Sequence, residues 1–191
     1  MAGVPSDLSA VFFDFGGTLF SYRAVGGGTF DLLLEAARRL EPSDPAGVIA
    51  VAGCPAEQIP FHPRLRALGT VTDVADLLAA VDFVINVNRF SLFDLSTIEA
   101  VEAGRPLLLS PVGGNLTFRD LGAGCVMIES LEPSAIAAGV RAAFAMPASA
   151  RADLGARSRA CYDAHLTPRH LRQRHVDLYD AATAITAGSR A

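Results

Sequence analysis

The groups best able to do chemistry crowd into one stretch, Asn86–Asn115, which reads NVNRFSLFDLSTIEAVEAGRPLLLSPVGGN. Ser96 precedes Thr97, and Glu99 follows three residues after Ser96, the spacing of a capping box that opens a helix. Gly104 and Pro106 close that helix, placing it over Thr97–Ala103. A helix N-terminus presents unpaired backbone N–H groups and a partial positive charge, which suits a diphosphate. Asp94 and Glu99 add carboxylates that accept hydrogen bonds from ribose or sugar hydroxyls. The pair Gly113-Gly114, followed by Asn115, is expected to turn the chain after the next strand. Taken singly, a capping-box glutamate and a glycine pair are ordinary structural devices. Their grouping is the signal.

Positioning these groups falls to short apolar runs that alternate with stretches of helical spacing. The runs predict strands at Ala10–Phe15, Gly47–Ala52, near Leu68–Val71, and at Val81–Val87, Pro106–Ser110 and Cys125–Ile128. Helices are expected over Asp31–Leu40, Asp73–Ala80 with Thr72 as N-cap, Thr97–Ala103, Pro133–Ala145, Ser149–Ala164 and Pro168–Ala187. Runs such as Phe83-Val84-Ile85 and Leu107-Leu108-Leu109 suit strands buried on both sides. The fold class is therefore α/β, a Rossmann-like parallel sheet with helices on both faces. Ligands of such folds bind at the carboxyl ends of strands, here the loops after Phe15, Val87 and Ser110.

Composition narrows the function. The 191 residues suit one domain, and 51% hydrophobic against 19% charged residues supplies a core. A net charge of −4 gives no long-range attraction to nucleic acid. All sixteen basic residues are Arg, so Schiff-base or phosphate-neutralising Lys chemistry is excluded. The longest apolar run near the start, Ala10–Phe13, is far too short for a transmembrane segment or a leader. Cys54, Cys125 and Cys161 are odd in number and widely spaced, as expected of reduced thiols in a cytoplasmic protein. His62, His165, His170 and His175 show no metal-ligand spacing.

The body of the chain, from about Gly47 to Ala182, resembles the C-terminal, donor-binding domain of retaining GT-B glycosyltransferases of the family 4-like group. The resemblance is carried by Glu99-Ala100, Ala103-Gly104-Arg105-Pro106 and Gly113-Gly114-Asn115, by Leu68-Gly69-Thr70-Val71 and Asp82-Phe83-Val84-Ile85 upstream, and by Leu166-Thr167-Pro168 and Leu178-Tyr179 near the end. It implies one half of a GT-B fold that binds a nucleotide sugar and needs no cofactor or metal. Glu99 would hold the ribose hydroxyls. The loop Phe93, Asp94, Leu95, Ser96, leading into Thr97, would face the diphosphate and sugar, with Gly113, Gly114 and Asn115 alongside. Val71 and Thr72 would lie near the base. The family's first acidic residue falls on Ser91 here, so Asp94 is the compensating catalytic carboxylate. The family's basic pair has no clear match; Arg23, Arg64 and Arg89 are the candidates. The acceptor-binding domain would be a separate domain or chain.

The head differs. Val11-Phe12-Phe13-Asp14-Phe15-Gly16-Gly17-Thr18-Leu19-Phe20 resembles the first motif of the haloacid-dehalogenase superfamily, which makes Asp14 a nucleophile working with Mg²⁺. The general acid expected two positions later is replaced by Gly16, and the acidic pairs Asp73/Asp76 and Asp177/Asp180 read as solvated helix faces. The chain thus divides into residues 1–45, a dehalogenase-like strand and helix in the same sheet, and 46–191, the glycosyltransferase-like domain. Three functions stay open: glycosyl transfer from a nucleoside-diphosphate sugar, a hydrolase or phosphatase using Asp14, and a non-catalytic remnant or interaction module.

Overall fold

A computed structural model describes residues 10–13, 29–53, 57, 59 and 61–188. Asp14, Arg23 and Cys54 lie outside the described residues. Among the described residues six strands form one sheet: β1 (Ala10–Phe13), β2 (Ile49–Ala52), β3 (Leu65–Gly69), β4 (Val84–Asn86), β5 (Leu107–Leu109) and β6 (Cys125–Met127). Every pairing is parallel, in the order β3-β2-β1-β4-β5-β6. Among the described residues seven helices accompany them: α1 (Thr29–Ala37), α2 (Val74–Ala80), α3 (Leu95–Glu102), α4 (Gly113–Asp120), α5 (Pro133–Ala145), α6 (Ala148–Cys161) and α7 (Pro168–Gly188). A π turn, Tyr162–Leu166, separates the last two.

The period-two alternation of each strand divides the core into two layers. Ile49, Val51, Ile85 and Leu108 pack against Leu33 and Ala36 of α1 and Ile136 and Val140 of α5. Ala50, Ala52, Val84, Leu107 and Leu109 face Leu77 of α2, Ala100 and Val101 of α3 and Phe118 of α4. The expected α/β class, a parallel sheet clad on both faces, is what forms. β1 occupies the middle of the sheet, paired with β2 from Ala10 to Phe13 and with β4 through Val11 and Phe12.

Local differences from the sequence reading have physical causes. β3 starts at Leu65 rather than near Leu68, because it is an edge strand half-buried throughout and carries a weak apolar signal. Asp73, not Thr72, caps α2, its carboxylate accepting the Asp76 N–H at 3.0 Å. α3 begins at Leu95 with Asp94 as N-cap, so Ser96 lies inside the first turn and no capping box forms. Gly113 and Gly114 do not make a turn; they are the first residues of α4. The helix expected over Ser149–Ala164 gives way to the π turn at Tyr162. No helix among the described residues is long and apolar enough to cross a membrane.

Arg64 ties the amino end of the sheet together. Its guanidinium donates to the carbonyls of Glu41 (3.0 Å), Pro45 (2.9 Å), Gly47 (3.3 Å) and Asp44 (3.4 Å). Arg141 of α5 adds an ion pair to Asp44 at 2.8 Å. Replacing Arg64 with Met keeps the aliphatic stem and removes the donors. It is expected to cost about 1.5–3 kcal/mol, read as a lower urea midpoint with an unchanged slope. An unshifted midpoint would show that solvent satisfies those carbonyls equally well.

Candidate functional site

At the carboxyl edge of the sheet, β4 ends in Asn86, and the loop 87–94 carries the chain across to α3. β1 and β4 are the neighbours at which the strand order reverses, the place where sheets of this kind bind ligands. Beside it lies a polar network among otherwise apolar strand ends. Asp94 Oδ2 accepts from Asn86 Nδ2 (2.7 Å), Asn88 Nδ2 (3.1 Å) and Ser91 Oγ (3.1 Å). Asn86 Nδ2 also donates to Thr97 Oγ1 at 3.0 Å. Asn115 Nδ2 bridges to the carbonyl oxygens of Asn86 (3.2 Å) and Ser110 (3.1 Å), and Ser110 Oγ donates to the Asn88 carbonyl at 2.8 Å. These bonds lock the exits of β4 and β5 and the starts of α3 and α4 into one platform.

The network has a consequence for α3. A helix-leading Asp ordinarily caps the helix with its carboxylate, a device worth about 1 kcal/mol. Asp94 has the extended backbone of a cap, yet its side chain makes no capping bond. Its carbonyl takes the N–H groups of Thr97 (3.1 Å) and Ile98 (3.2 Å). The N–H groups of Leu95 and Ser96 are left without a partner among the described residues. Three hydrogen bonds to the Asp94 carboxylate offset the lost cap and leave the first two N–H groups of the helix without an acceptor among the described residues.

The loop before α3 is held under strain. Phe93 has φ of 113°, a conformation costing on the order of 1–3 kcal/mol for a side-chain-bearing residue. Its ring stacks flat on Phe118 of α4, with centroids 4.3 Å apart and planes inclined by 2°. The Ser91 carbonyl accepts the Gly114 N–H at 2.8 Å. Two contacts to one helix therefore fix the strained residue.

Glu99 lies one turn into α3, half-buried, and its Oε2 is fully enclosed with no hydrogen-bond partner. Burial, then the neighbouring charge of Glu102, pushes its pKa above the ordinary carboxyl value. A buried acceptor left unpaired costs roughly 1–3 kcal/mol, so such an atom in a native site calls for an occupant. Asn115 Oδ1 is likewise enclosed and unpaired.

The sequence candidates thus separate. Ser91, Phe93, Asp94, Leu95, Ser96, Thr97, Gly113, Gly114 and Asn115 come together at the α3 and α4 starts. The Thr97, Gly114 and Asn115 N–H groups are bonded within the chain. Val71 and Thr72 sit beyond β3, three strands from β4 and roughly 14 Å along the sheet. Arg64 is at the wrong end of the sheet for a diphosphate clamp, before β3 and committed to carbonyls. Arg89 lies in the β4–α3 loop itself, exposed. Asp14 lies outside the described residues. Among the described residues, no three His, Cys, Asp or Glu side chains gather so as to hold a metal ion. Sequence reasoning missed Asn86 and Asn88. The signal was available: Asn at alternate positions where a doubly buried apolar strand ends.

A six-stranded parallel sheet clad by helices on both faces, with its polar site at the switch point, has the architecture of one half of a GT-B fold. The solved structures agree on the fold. A glycosyltransferase from Rickettsia africae superposes with a TM-score of 0.73 at 13% identity, covering 93% of this chain and 48% of that one. Anabaena HepE in complex with UDP-glucose superposes with a TM-score of 0.67 at 15% identity, covering 92% and 49%. The chain belongs to the glycosyl transferases group 1 family, which matches residues 25–145. It is similar to the D-inositol 3-phosphate glycosyltransferase of Geodermatophilus obscurus, 32% identical over 150 residues, which are 66% of this chain and 33% of that protein. The chain spans about half the length of the solved structures and a third of this curated relative.

Proposed function

We propose that this chain is the nucleotide-sugar-binding half of a retaining GT-B glycosyltransferase that acts in the cytoplasm. The observation that carries the reading is the enclosed, partnerless Oε2 of Glu99, one turn behind a helix start with two open N–H groups. The Glu99 carboxylate accepts from the ribose hydroxyls, and a diphosphate oxygen takes the N–H groups. Distances along a nucleoside diphosphate suit two features separated by one helical turn, about 5.4 Å. Val71 and Thr72 reach the base. Asp94 supplies the carboxylate that Ser91 lacks, held in one orientation by its three donors. Arg89 and the helix N-terminus offset the diphosphate charge in place of a metal. Residues 1–45 then contribute the central strand and first helix of this same unit rather than a separate hydrolase.

The acceptor side of such a cleft comes from another domain or chain, and two surfaces fit its docking. Phe90, Leu92 and Leu95 form an exposed apolar lip beside the site. α7 leaves Leu171, Leu178 and Tyr179 exposed along a helix that little else in the chain covers. Apolar groups left open in this number mark a contact surface.

Isothermal calorimetry with UDP and UDP-glucose, in the presence of EDTA, tests the proposal. Binding is expected with a Kd on the order of 0.1–1 mM, fitting half a cleft, and should be indifferent to the chelator. Folded protein that takes up neither UDP nor GDP, with or without metal, rules the reading out.

A further inference from the structure

Glu102 follows Glu99 by three residues on α3, and a side chain from outside the site holds it. The Tyr162 hydroxyl donates to Glu102 Oε1 at 2.9 Å. Tyr162 opens the π turn between α6 and α7 and is buried against the same core layer as α3. A π turn inside a helical run re-aims the residues it carries and is frequent at functional positions. The nearest guanidinium is already committed. Arg159 forms a two-point ion pair with Asp163, at 2.7 and 3.1 Å, and donates to the Glu102 backbone carbonyl at 2.9 Å, not to its carboxylate. Arg105, beyond the end of α3, bonds the carbonyls of Ala103 and Val81. Among the described residues, the phenol is therefore the side-chain donor on the Glu102 carboxylate.

We propose that Tyr162 is a positioning residue for donor binding: its hydroxyl holds the Glu102 carboxylate off Glu99, leaving Glu99 to face the ribose hydroxyls. The proposal rests on the reading of Glu99 given above. Carboxylates at i and i+3 share a helix face and repel, and Glu99 sits where burial already disfavours its charge. An O–H donor draws the Glu102 charge toward α6 and limits that repulsion. Burial, then the Glu102 carboxylate, raises the pKa of Tyr162, so the phenol keeps its proton at neutral pH. The charge acting on Glu99 is that of Glu102 on its own helix, while the Arg159–Asp163 pair lies against the Glu102 backbone carbonyl.

The test is UDP affinity by calorimetry from about pH 5 to about pH 8, for the wild type, Y162F, E102Q and the double variant, paired with NMR titration of the Glu99 carboxyl carbon without ligand. Wild-type affinity is expected to rise with pH as Glu99 ionises. Y162F should move that rise, and the NMR midpoint, to higher pH, weakening UDP at the acid end of the range and little at the alkaline end. E102Q should move both downward, and Tyr162→Phe should then have no further effect. Equal weakening by Y162F at every pH, or a shift that persists with E102Q, overturns the proposal in favour of a purely structural tyrosine. A shifted NMR midpoint in a wild type that binds no UDP overturns the donor reading, and the positioning role with it. The coupling between the two side chains alone would stand.

Discussion

Glu99→Gln is expected to weaken UDP binding by about 10- to 150-fold while leaving the ligand-free protein as stable as the wild type or more so. The binding loss is that of a charge-assisted hydrogen bond to a hydroxyl, about 1.5–3 kcal/mol. The stability effect has the opposite sign because the free protein bears the cost of the site. Glu99 has an enclosed oxygen with no partner, and burial and Glu102 raise its folded-state pKa. As pH rises, the unfolded chain releases this proton first, so the wild type loses stability between the unfolded and folded pKa values. Below that window the carboxyl is neutral in both states and this difference vanishes. The amide of E99Q is neutral throughout, so its denaturation midpoint should pull ahead of the wild type only as pH climbs through the window. Thermal melts at several pH values and calorimetry on the same samples check both signs. A variant that loses stability and binding together would make Glu99 an ordinary structural residue.

The parts of the fold legible in the sequence were those with one dominant energetic signal. Leu107-Leu108-Leu109 and Phe83-Val84-Ile85 bury residues on both faces, and nothing but a central parallel strand uses such runs economically. Pro133 at the start of α5 and the apolar stripe of Ile136, Val140 and Ala143 set that helix's bounds correctly. What stayed hidden depended on contacts between segments. α4 reads as polar, with two glycines, and it becomes a helix because Phe118 stacks on Phe93 and Gly114 bonds Ser91, both residues of a different loop. The cap of α3 was misassigned for a similar reason. Ser96 and Glu99 have capping-box spacing, but Asn86, Asn88 and Ser91 draw Asp94 into a network that sets where the helix begins. Local pattern located the site to within a few residues. Which atoms remain open there was decided by long-range hydrogen bonds, which spacing alone does not encode.

That dependence makes the glycine pair the other sensitive point. A Cβ added to Gly113 would lie 2.0 Å from the Ser91 carbonyl oxygen, and the residue has φ of 38°. One added to Gly114 would lie 2.3 Å from the Phe93 nitrogen and 2.5 Å from its Cα. Both obstacles are backbone, so no side chain can rotate away. The peptide carrying Ser91 and Phe93 must move, or α4 must. Gly113→Ala combines overpacking with strain at positive φ and is expected to cost roughly 2–4 kcal/mol, lowering Tm by about 5–15 °C. Gly122 provides the control: φ is 85°, but a Cβ there meets nothing within 4 Å. Gly122→Ala should therefore show the conformational penalty alone, about 1 kcal/mol and a Tm drop of roughly 2–4 °C. The two variants should also differ in binding. Displacing the Ser91 peptide in G113A breaks the Asp94 network and tilts the open end of α3, so UDP affinity should fall at temperatures where the protein remains folded. G122A should bind as the wild type does. Equal Tm losses in the two variants, or full UDP affinity in G113A, would mean that the loop before α3 accommodates the methyl group and that its strained geometry is not what shapes the site.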